Sequence, residues 1–343
     1  MTAKEARGRR LVGRARRTYL PLEEQRHKPT DYQVTTSALL YYPERGFEVE
    51  TPVWQHYVKY QRGSALQCAD WEAFEDPAHT TYSSYVAARR DQEAFLDRLY
   101  ERPARKPAPQ LAPLLGPLSA LRFFLHGIQM TAAYVGSLAP SGRISVVAAF
   151  QAGDELRRIQ RVCQWLSRSG MTIPELDALG RELWQQHAAF QPLRRLTEEL
   201  LVTYDWAEAL LGLNGVIKPI FDRLWFEQLA AIAAQHGDEL LEQTLRSLGE
   251  DGRWHEAWFV KWSRLVLAGD AKNANFFAST SARLGAQATQ AARALLPVFE
   301  PLRGDAATRL RLADELDEAL AQHLAASRGD VEGVAEGADD GPV

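Results

Sequence analysis

Residues 118–138, LSALRFFLHGIQMTAAYVGSL, and residues 144–169, ISVVAAFQAGDELRRIQRVCQWLSRS, carry the reading of the fold. The first stretch is apolar on nearly every face, which marks a buried central helix. Between the two, Ala139-Pro140-Ser141-Gly142 breaks the helix, and Ser141 stands where the second helix needs a capping hydroxyl. Gly170 stops that second helix. On the N-terminal side, Tyr82, Tyr85, Val86, Arg89, Phe95, Leu96, Leu99 and Tyr100 recur at helical spacing. Pro103, Pro107, Pro109, Pro113 and Pro117 make 102–117 a linker that cannot be a regular helix. On the C-terminal side, 171–191 reads as a looser segment, and Pro192 suits the first turn of a helix over 193–213. Asn214-Gly215 relaxes the chain and Lys218-Pro219 kinks or restarts it. Long helices are expected over 238–268, 271–296 and 306–327.

The two ends differ from this pattern. Residues 1–50 lack a sustained helical period. Their first 28 positions hold Lys4, Arg7, Arg9, Arg10, Arg14, Arg16, Arg17, Arg26 and Lys28 against Glu5, Glu23 and Glu24. Residues 51–78 are aromatic and broken, with Trp54, Tyr57, Tyr60, Trp71 and Phe74 followed by Asp76-Pro77, and predict short helices and turns. The last residues carry Asp330, Glu332, Glu336, Asp339 and Asp340 without a base and predict disorder. The expected architecture is all-α: a ferritin-like, ribonucleotide-reductase-like helical bundle over 51–327 with additional helices. An extended basic arm over 1–50 precedes it and an acidic tail over 328–343 follows.

Composition narrows the function classes. The chain has 343 residues, 46% hydrophobic and 24% charged, which excludes disorder of the whole and is enough to build a large core. Cys68 and Cys163 form no CxxC pair, so a reducing cytoplasm is expected. The longest purely apolar run, Ile144 to Phe150, falls far short of the roughly 20 residues that span a membrane. The Arg-rich start has no apolar stretch behind it and so does not read as an export signal. Neither a nucleotide loop nor a G-x-S-x-G elbow is present. The basic arm resembles a nucleic-acid tail, but no basic helix follows it, so neither nucleic acid nor a membrane is expected as a partner.

A ferritin-like bundle poses one chemical question. A di-iron site there takes a Glu from each of two helices and Glu-x-x-His from each of two others, because i, i+3 spacing puts both donors on one face. Only Glu24-Gln25-Arg26-His27 and Asp76-Pro77-Ala78-His79 match that spacing, and neither sits in a long helix. His126 lies within the apolar stretch and reads as a hydrogen-bonded core residue. Gly153-Asp154-Glu155-Leu156-Arg157-Arg158 has the shape of a metal helix with Arg158 where the imidazole would stand. A guanidinium has no lone pair for iron. Two readings stand: an exposed charged turn, or a salt bridge from Arg158 to Glu155 in the metal's place. No catalytic residue and no metal ligand is assigned. Trp184, Trp206, Trp225, Trp254, Trp258 and Trp262 fall at helical spacing and are expected in the core, with some at a subunit interface.

Several segments together resemble the β subunits of toluene, phenol and alkene monooxygenase hydroxylases. They are His27 to Tyr32; Asp70 to Pro77 with Tyr82 and Tyr85; Phe124 to Met130, continuing through Ala133-Tyr134-Val135 to Ala139-Pro140; and Asp205 to Ala209 with Leu213-Asn214 and Lys218-Pro219. The resemblance spans about His27 to Phe299. Its segments single out Trp71, Asp76, Tyr85, His126, Tyr134, Asp205, Trp206, Glu208, Asn214 and Lys218 as interface or structural positions. The α subunits of this family keep Asp-Glu-x-Arg-His on the metal helix. The resemblance therefore implies that Asp154, Glu155 and Arg158 are degenerate metal-helix positions. It further implies an (αβγ)2 hydroxylase with a second β subunit, di-iron in α, and no cofactor in this chain. It implies working partners: a small regulatory protein, a reductase carrying FAD and a 2Fe-2S cluster, and in some systems a Rieske ferredoxin. The reaction implied is NADH-dependent hydroxylation or epoxidation of an aromatic or alkene hydrocarbon. Two other readings remain open from the residues alone: a catalytic di-iron protein of the ribonucleotide-reductase type, and a helical interaction protein with no enzyme attached.

Overall fold

The computed structural model describes residues 28–39, 52–103, 106–299, 302 and 306–329. Among them every regular element is helical. In chain order these are α1 (Asp31–Leu39), α2 (Pro52–Tyr57), α3 (Tyr82–Tyr100), α4 (Leu115–Leu138), α5 (Gly142–Leu166), α6 (Ile173–Gln186) and α7 (Gln191–Leu201). There follow α8 (Trp206–Leu210), α9 (Lys218–Asp222), α10 (Leu229–Gln235), α11 (Glu239–Gly269), α12 (Ala271–Leu295) and α13 (Ala306–Arg328). Wide π-type turns at Leu211–Ile217 and Arg223–Gln228 join α8, α9 and α10 into one run. The bundle is ferritin-like, as the helix lengths predict.

The two stretches that open the sequence reading form its centre. Ser141 caps α5 by accepting from the Arg143 N–H, and Gly170, at φ +86°, ends the helical turn after α5 in the left-handed conformation that glycine adopts without strain. Helix α4 lies along α5 and also packs on α6 and α7, and α11 meets α3, α5, α10 and α13. From α4, Leu118, Leu121, Phe124, Leu125, Ile128 and Val135 are fully buried, and the Phe124 ring sits 5.3 Å from that of Phe221. Each such side chain contributes about 1.5–3 kcal/mol. Phe124→Ala would cost about 3–5 kcal/mol through the cavity it leaves.

Six local expectations are corrected. The basic arm was expected to be extended, yet α1 forms within it, because the Thr30 hydroxyl accepts from the Gln33 N–H while the Gln33 carboxamide accepts from the Thr30 N–H. The remainder of that arm, residues 1–27 (including Glu24 and His27) and 40–50, lies outside the described residues, as does the acidic tail beyond residue 329. The looser segment 171–191 contains α6, fixed by the same device at Thr172 and Glu175. The proline linker ends earlier than expected: after a 3-10 segment, Pro109–Leu114, the regular helix begins at Leu115 with Pro117 in its first turn. The helix expected over 193–213 stops at Leu201 and restarts at Trp206, because Asp205 caps α8 by accepting from the Ala207 and Glu208 N–H groups. Farther on, Pro219 gives the ladder no N–H, and the chain absorbs the gap by widening rather than by breaking. Finally, His126 is exposed rather than in the core: α4 has one open stripe, and His126, Met130, Ala133 and Ser137 lie on it at spacings of four, three and four.

Asp205 also accepts from the Ser64 hydroxyl and the Ala65 N–H, both at 2.7 Å, so it ties the segment after α2 to the start of α8. Asp205→Ala should cost about 1–2 kcal/mol from the lost cap alone. It should also raise amide hydrogen exchange in residues 60–67 as well as in α8. Exchange raised in α8 only would remove the tie from this account.

Candidate functional site

The Gly153–Arg158 turn is not an exposed charged turn. Asp154, Glu155 and Arg158 have no exposed surface. Helix periodicity puts Gln151, Asp154, Glu155 and Arg158 on one inward face of α5. Three other helices supply their partners: Tyr85 and Arg89 from α3, Lys218 and Asp222 one turn apart on α9, and Asp251 and His255 one turn apart on α11.

The bonds are nearly saturated. Arg158 donates to Glu155 at 3.1 and 3.3 Å, to Asp222 at 2.9 and 3.1 Å, and to the Leu248 carbonyl at 3.1 Å. Its guanidinium lies 4.4 Å from the centre of the Phe226 ring. The Lys218 ammonium reaches Glu155 at 2.7 Å and Asp222 at 2.9 Å. Asp154 accepts from Arg89 at 2.6 and 2.7 Å and from the Tyr85 hydroxyl at 2.8 Å, and meets His255 Nε2 at 3.0 Å. Asp251 pairs with Arg89 at 2.8 Å and Arg157 at 2.7 Å. Four carboxylates (Asp154, Glu155, Asp222, Asp251) thus face four cations (Arg89, Arg157, Arg158, Lys218). One turn below, Gln151 and Asn214 exchange two amide hydrogen bonds at 2.7 and 2.9 Å.

Electrostatics follows from burial with compensation. Burial alone would raise the Asp222 carboxyl, but the Arg158 and Lys218 charges outweigh it and hold it down at about 2. Burial, reinforced by the Lys218 charge, pushes His255 well below the usual imidazole range, so it is neutral. Burial and the neighbouring Asp154 push the Tyr85 hydroxyl up, so it remains a donor. His255 Nδ1 lies 3.9 Å from Glu155 Oε1 and has no hydrogen-bond partner among the described residues. A pair of iron ions needs carboxylate oxygens and imidazole nitrogens free on one side. Here guanidinium and ammonium groups occupy those oxygens, and the centre of the cluster is itself a cation. The side chains do not fit a di-iron group.

The other residues singled out by sequence divide between interior and surface. Asp76 is buried, accepting from the Ala78 and Thr80 N–H groups and the Trp254 indole, while its own N–H bonds the Tyr32 hydroxyl. His79, three residues on, is exposed at φ 45° and stacks on Tyr32 at 5.1 Å, far from any metal-like arrangement. Trp206 is fully buried against Trp71 and Trp262. Trp225, Trp258 and Trp262 are also fully buried, whereas Trp254 keeps some exposure. Tyr134 binds the Tyr204 carbonyl and meets His56 at 2.9 Å, and Glu208 pairs with Arg283 at 3.0 Å. Asp222, Asp251 and His255 escaped the sequence reading. Asp251 and His255 are four apart, not three, and α9 is too short to show a period; their i, i+4 spacing in a long helix was the only signal.

Arg158→Met should destabilise by about 3–5 kcal/mol, since it leaves Glu155 and Asp222 sharing one ammonium. Hydrogen exchange of α5 and α11 amides in the assembled protein measures it, and a loss below about 1 kcal/mol would contradict the account. His255 predicts a pH dependence. Its folded pKa is depressed, so its contribution is complete above the unfolded value near 6.5 and declines as pH falls, at up to about 1.4 kcal/mol per pH unit. His255→Gln should lack that slope; equal slopes in both proteins would rule out a neutral buried imidazole.

A sequence profile of the methane/phenol/alkene hydroxylase family matches residues 44–270. The hydroxylase β subunit of the toluene-4-monooxygenase system of Ectopseudomonas mendocina is 30% identical over 255 residues, covering 71% of this chain and 78% of that protein. The oxygenase component of phenol 2-monooxygenase from Acinetobacter pittii (strain PHEA-2) is 27% identical over 238 residues, covering 63% of this chain and 70% of that protein. A solved chain of toluene 4-monooxygenase, with toluene bound in its resting active site, matches at TM-score 0.71 and 27% identity over 79% of this chain and 94% of that one. With the helical bundle and the filled ionic cluster already in view, these matches show that the chain belongs to the methane/phenol/alkene hydroxylase family, as a β subunit of a multicomponent monooxygenase hydroxylase.

Proposed function

We propose that this chain is the non-catalytic scaffold of an (αβγ)2 hydroxylase, in which the α subunit holds the di-iron centre and oxidises the hydrocarbon. The observation that carries this reading is the ionic cluster: each carboxylate on the would-be metal face is bonded to a cation, and Arg158 stands in place of an imidazole. The space beside the cluster agrees. A cavity of about 60 Å³ is lined by Lys218, Asp222, Gly252, His255 and His323 among others. Sites for small organic molecules run to roughly 300–1,000 Å³.

The work of the chain is then to hold its neighbours in place. Exposed apolar side chains such as Ile173, Tyr82 and Val202 support cover by other subunits, in an obligate interface of roughly 2,000–5,000 Å². Electrons would reach α from NADH through a reductase bearing FAD and a 2Fe-2S cluster, with a Rieske ferredoxin in some systems and a small regulatory protein docked on the hydroxylase. Both cysteines are free, which fits a reducing cytoplasm.

In the co-expressed hydroxylase, His255→Ala and His79→Ala should leave the iron content per protomer unchanged. Loss of iron in either variant would overturn the scaffold reading and restore a metal-binding role for this chain. Expressed without its partners, the chain should aggregate, because its apolar faces would meet water. A stable, cooperative monomer by sedimentation would count against the obligate interface.

A further inference from the structure

The Glu-x-x-His unit that a di-iron bundle uses twice is present here as two complementary halves. On α5, Glu155 is followed three residues later by Arg158; on α11, His255 is preceded three residues earlier by Gly252. One helix keeps the carboxylate without its imidazole, and the other keeps the imidazole without its carboxylate. The retained members face each other, with His255 Nδ1 3.9 Å from Glu155 Oε1. The altered members also meet. A Cβ on Gly252 would fall 2.6 Å from Asp222 Oδ2 and 3.2 Å from Arg158 Nη2. The Arg158–Asp222 pair therefore fills the room that a side chain at 252 would need. From the third helix, α9, an ammonium rather than a further carboxylate reaches Glu155, at 2.7 Å.

We propose that Arg158, Lys218 and Gly252 form one interdependent unit that replaces a metal pair with two fixed cationic heads. The guanidinium and the ammonium draw Glu155 and Asp222 together across α5 and α9, and the Leu248 carbonyl ties α11 to the same guanidinium. Gly252 is the space that the guanidinium and Asp222 require. Arg89 and Arg157 complete the charge balance on Asp154 and Asp251. The inference deepens the scaffold reading and rests on it. It adds that none of the three positions can change alone.

Two glycines one turn apart on α11 provide the test. A Cβ on Gly249 would meet Phe226 Cβ at 3.4 Å, an ordinary contact. In the co-expressed hydroxylase, Gly249→Ala should leave hydrogen exchange of α5 and α11 unchanged or slower, as alanine favours a helix. Gly252→Ala should speed it about tenfold or more. Failure of Gly252→Ala to assemble, where Gly249→Ala assembles, is the same result in stronger form. In an Arg158→Met/Asp222→Ala background, which removes both groups that crowd position 252 but keeps the charge balance, alanine at 252 should change exchange less than about threefold. Similar behaviour of the two glycine variants, or a tenfold loss persisting in that background, overturns the proposal. R158H/K218E/G252E together should let the complex take up more cobalt(II) per protomer than the native complex, and uptake equal to native overturns the claim that the cations stand in the metal's place. Iron held by the native chain itself would instead sink the scaffold reading while leaving the glycine coupling to stand or fall by exchange.

Discussion

Arg158 lies at the centre of the bundle with no exposed surface, and the rest of the structure is arranged around that constraint. Moving a guanidinium out of water costs several kcal/mol even after relaxation. The cost is offset only where carboxylates and acceptors close on it from several sides. Here Glu155 comes from the same helix, Asp222 from α9 and the Leu248 carbonyl from α11, and the Phe226 ring covers its face. Each of these in turn needs its own partner: Lys218 serves Glu155 and Asp222, and Arg89 and Arg157 serve Asp154 and Asp251. Such a network is a poor source of net stability compared with apolar packing. Partly dismantled, however, it is far worse than either. That asymmetry ties the helices to one arrangement and makes the interior specific rather than merely compact.

On the scaffold reading proposed above, the chain benefits from that specificity. Its family places it in a multicomponent hydroxylase, and in the proposed role it must present fixed faces to the other subunits. A metal-binding bundle fixes its helices by coordination. This one fixes them by matched charge, with four carboxylates against four cations, and by an apolar layer of α4 packed on α5, α6 and α7. The two devices meet on α5, so the shape presented outward depends on side chains far from the surface.

Much of this was legible in the residues. The apolar run of α4, the Ser141 cap and the Gly170 stop gave the central pair of helices, and one of the two readings of the Asp154–Arg158 turn was the Arg158–Glu155 salt bridge found there. What escaped notice was of two physical kinds. Local capping at Thr30–Gln33, Thr172–Glu175 and Asp205 decided helix starts and stops that hydrophobic spacing alone does not report. The ionic cluster was hidden because it is assembled across the fold: Asp222, Asp251 and His255 look like surface residues of amphipathic helices until α9 and α11 are laid against α5. His126 erred in the opposite direction, since a helix that is apolar on nearly every face still leaves one stripe open and the imidazole lies on it.

The reciprocal amide pair of Gln151 and Asn214 has a consequence of its own. A carboxamide has one donating and one accepting end, so two of them clasp head to tail only when the helices carrying them are aligned lengthwise to within a fraction of a residue. Sliding α5 past the widened turn at Leu211–Ile217 by a single step would strand four polar atoms in a dry layer. The pair acts as a vernier. It sets the axial position of one helix against the other, while the charges one turn above it govern how closely they approach.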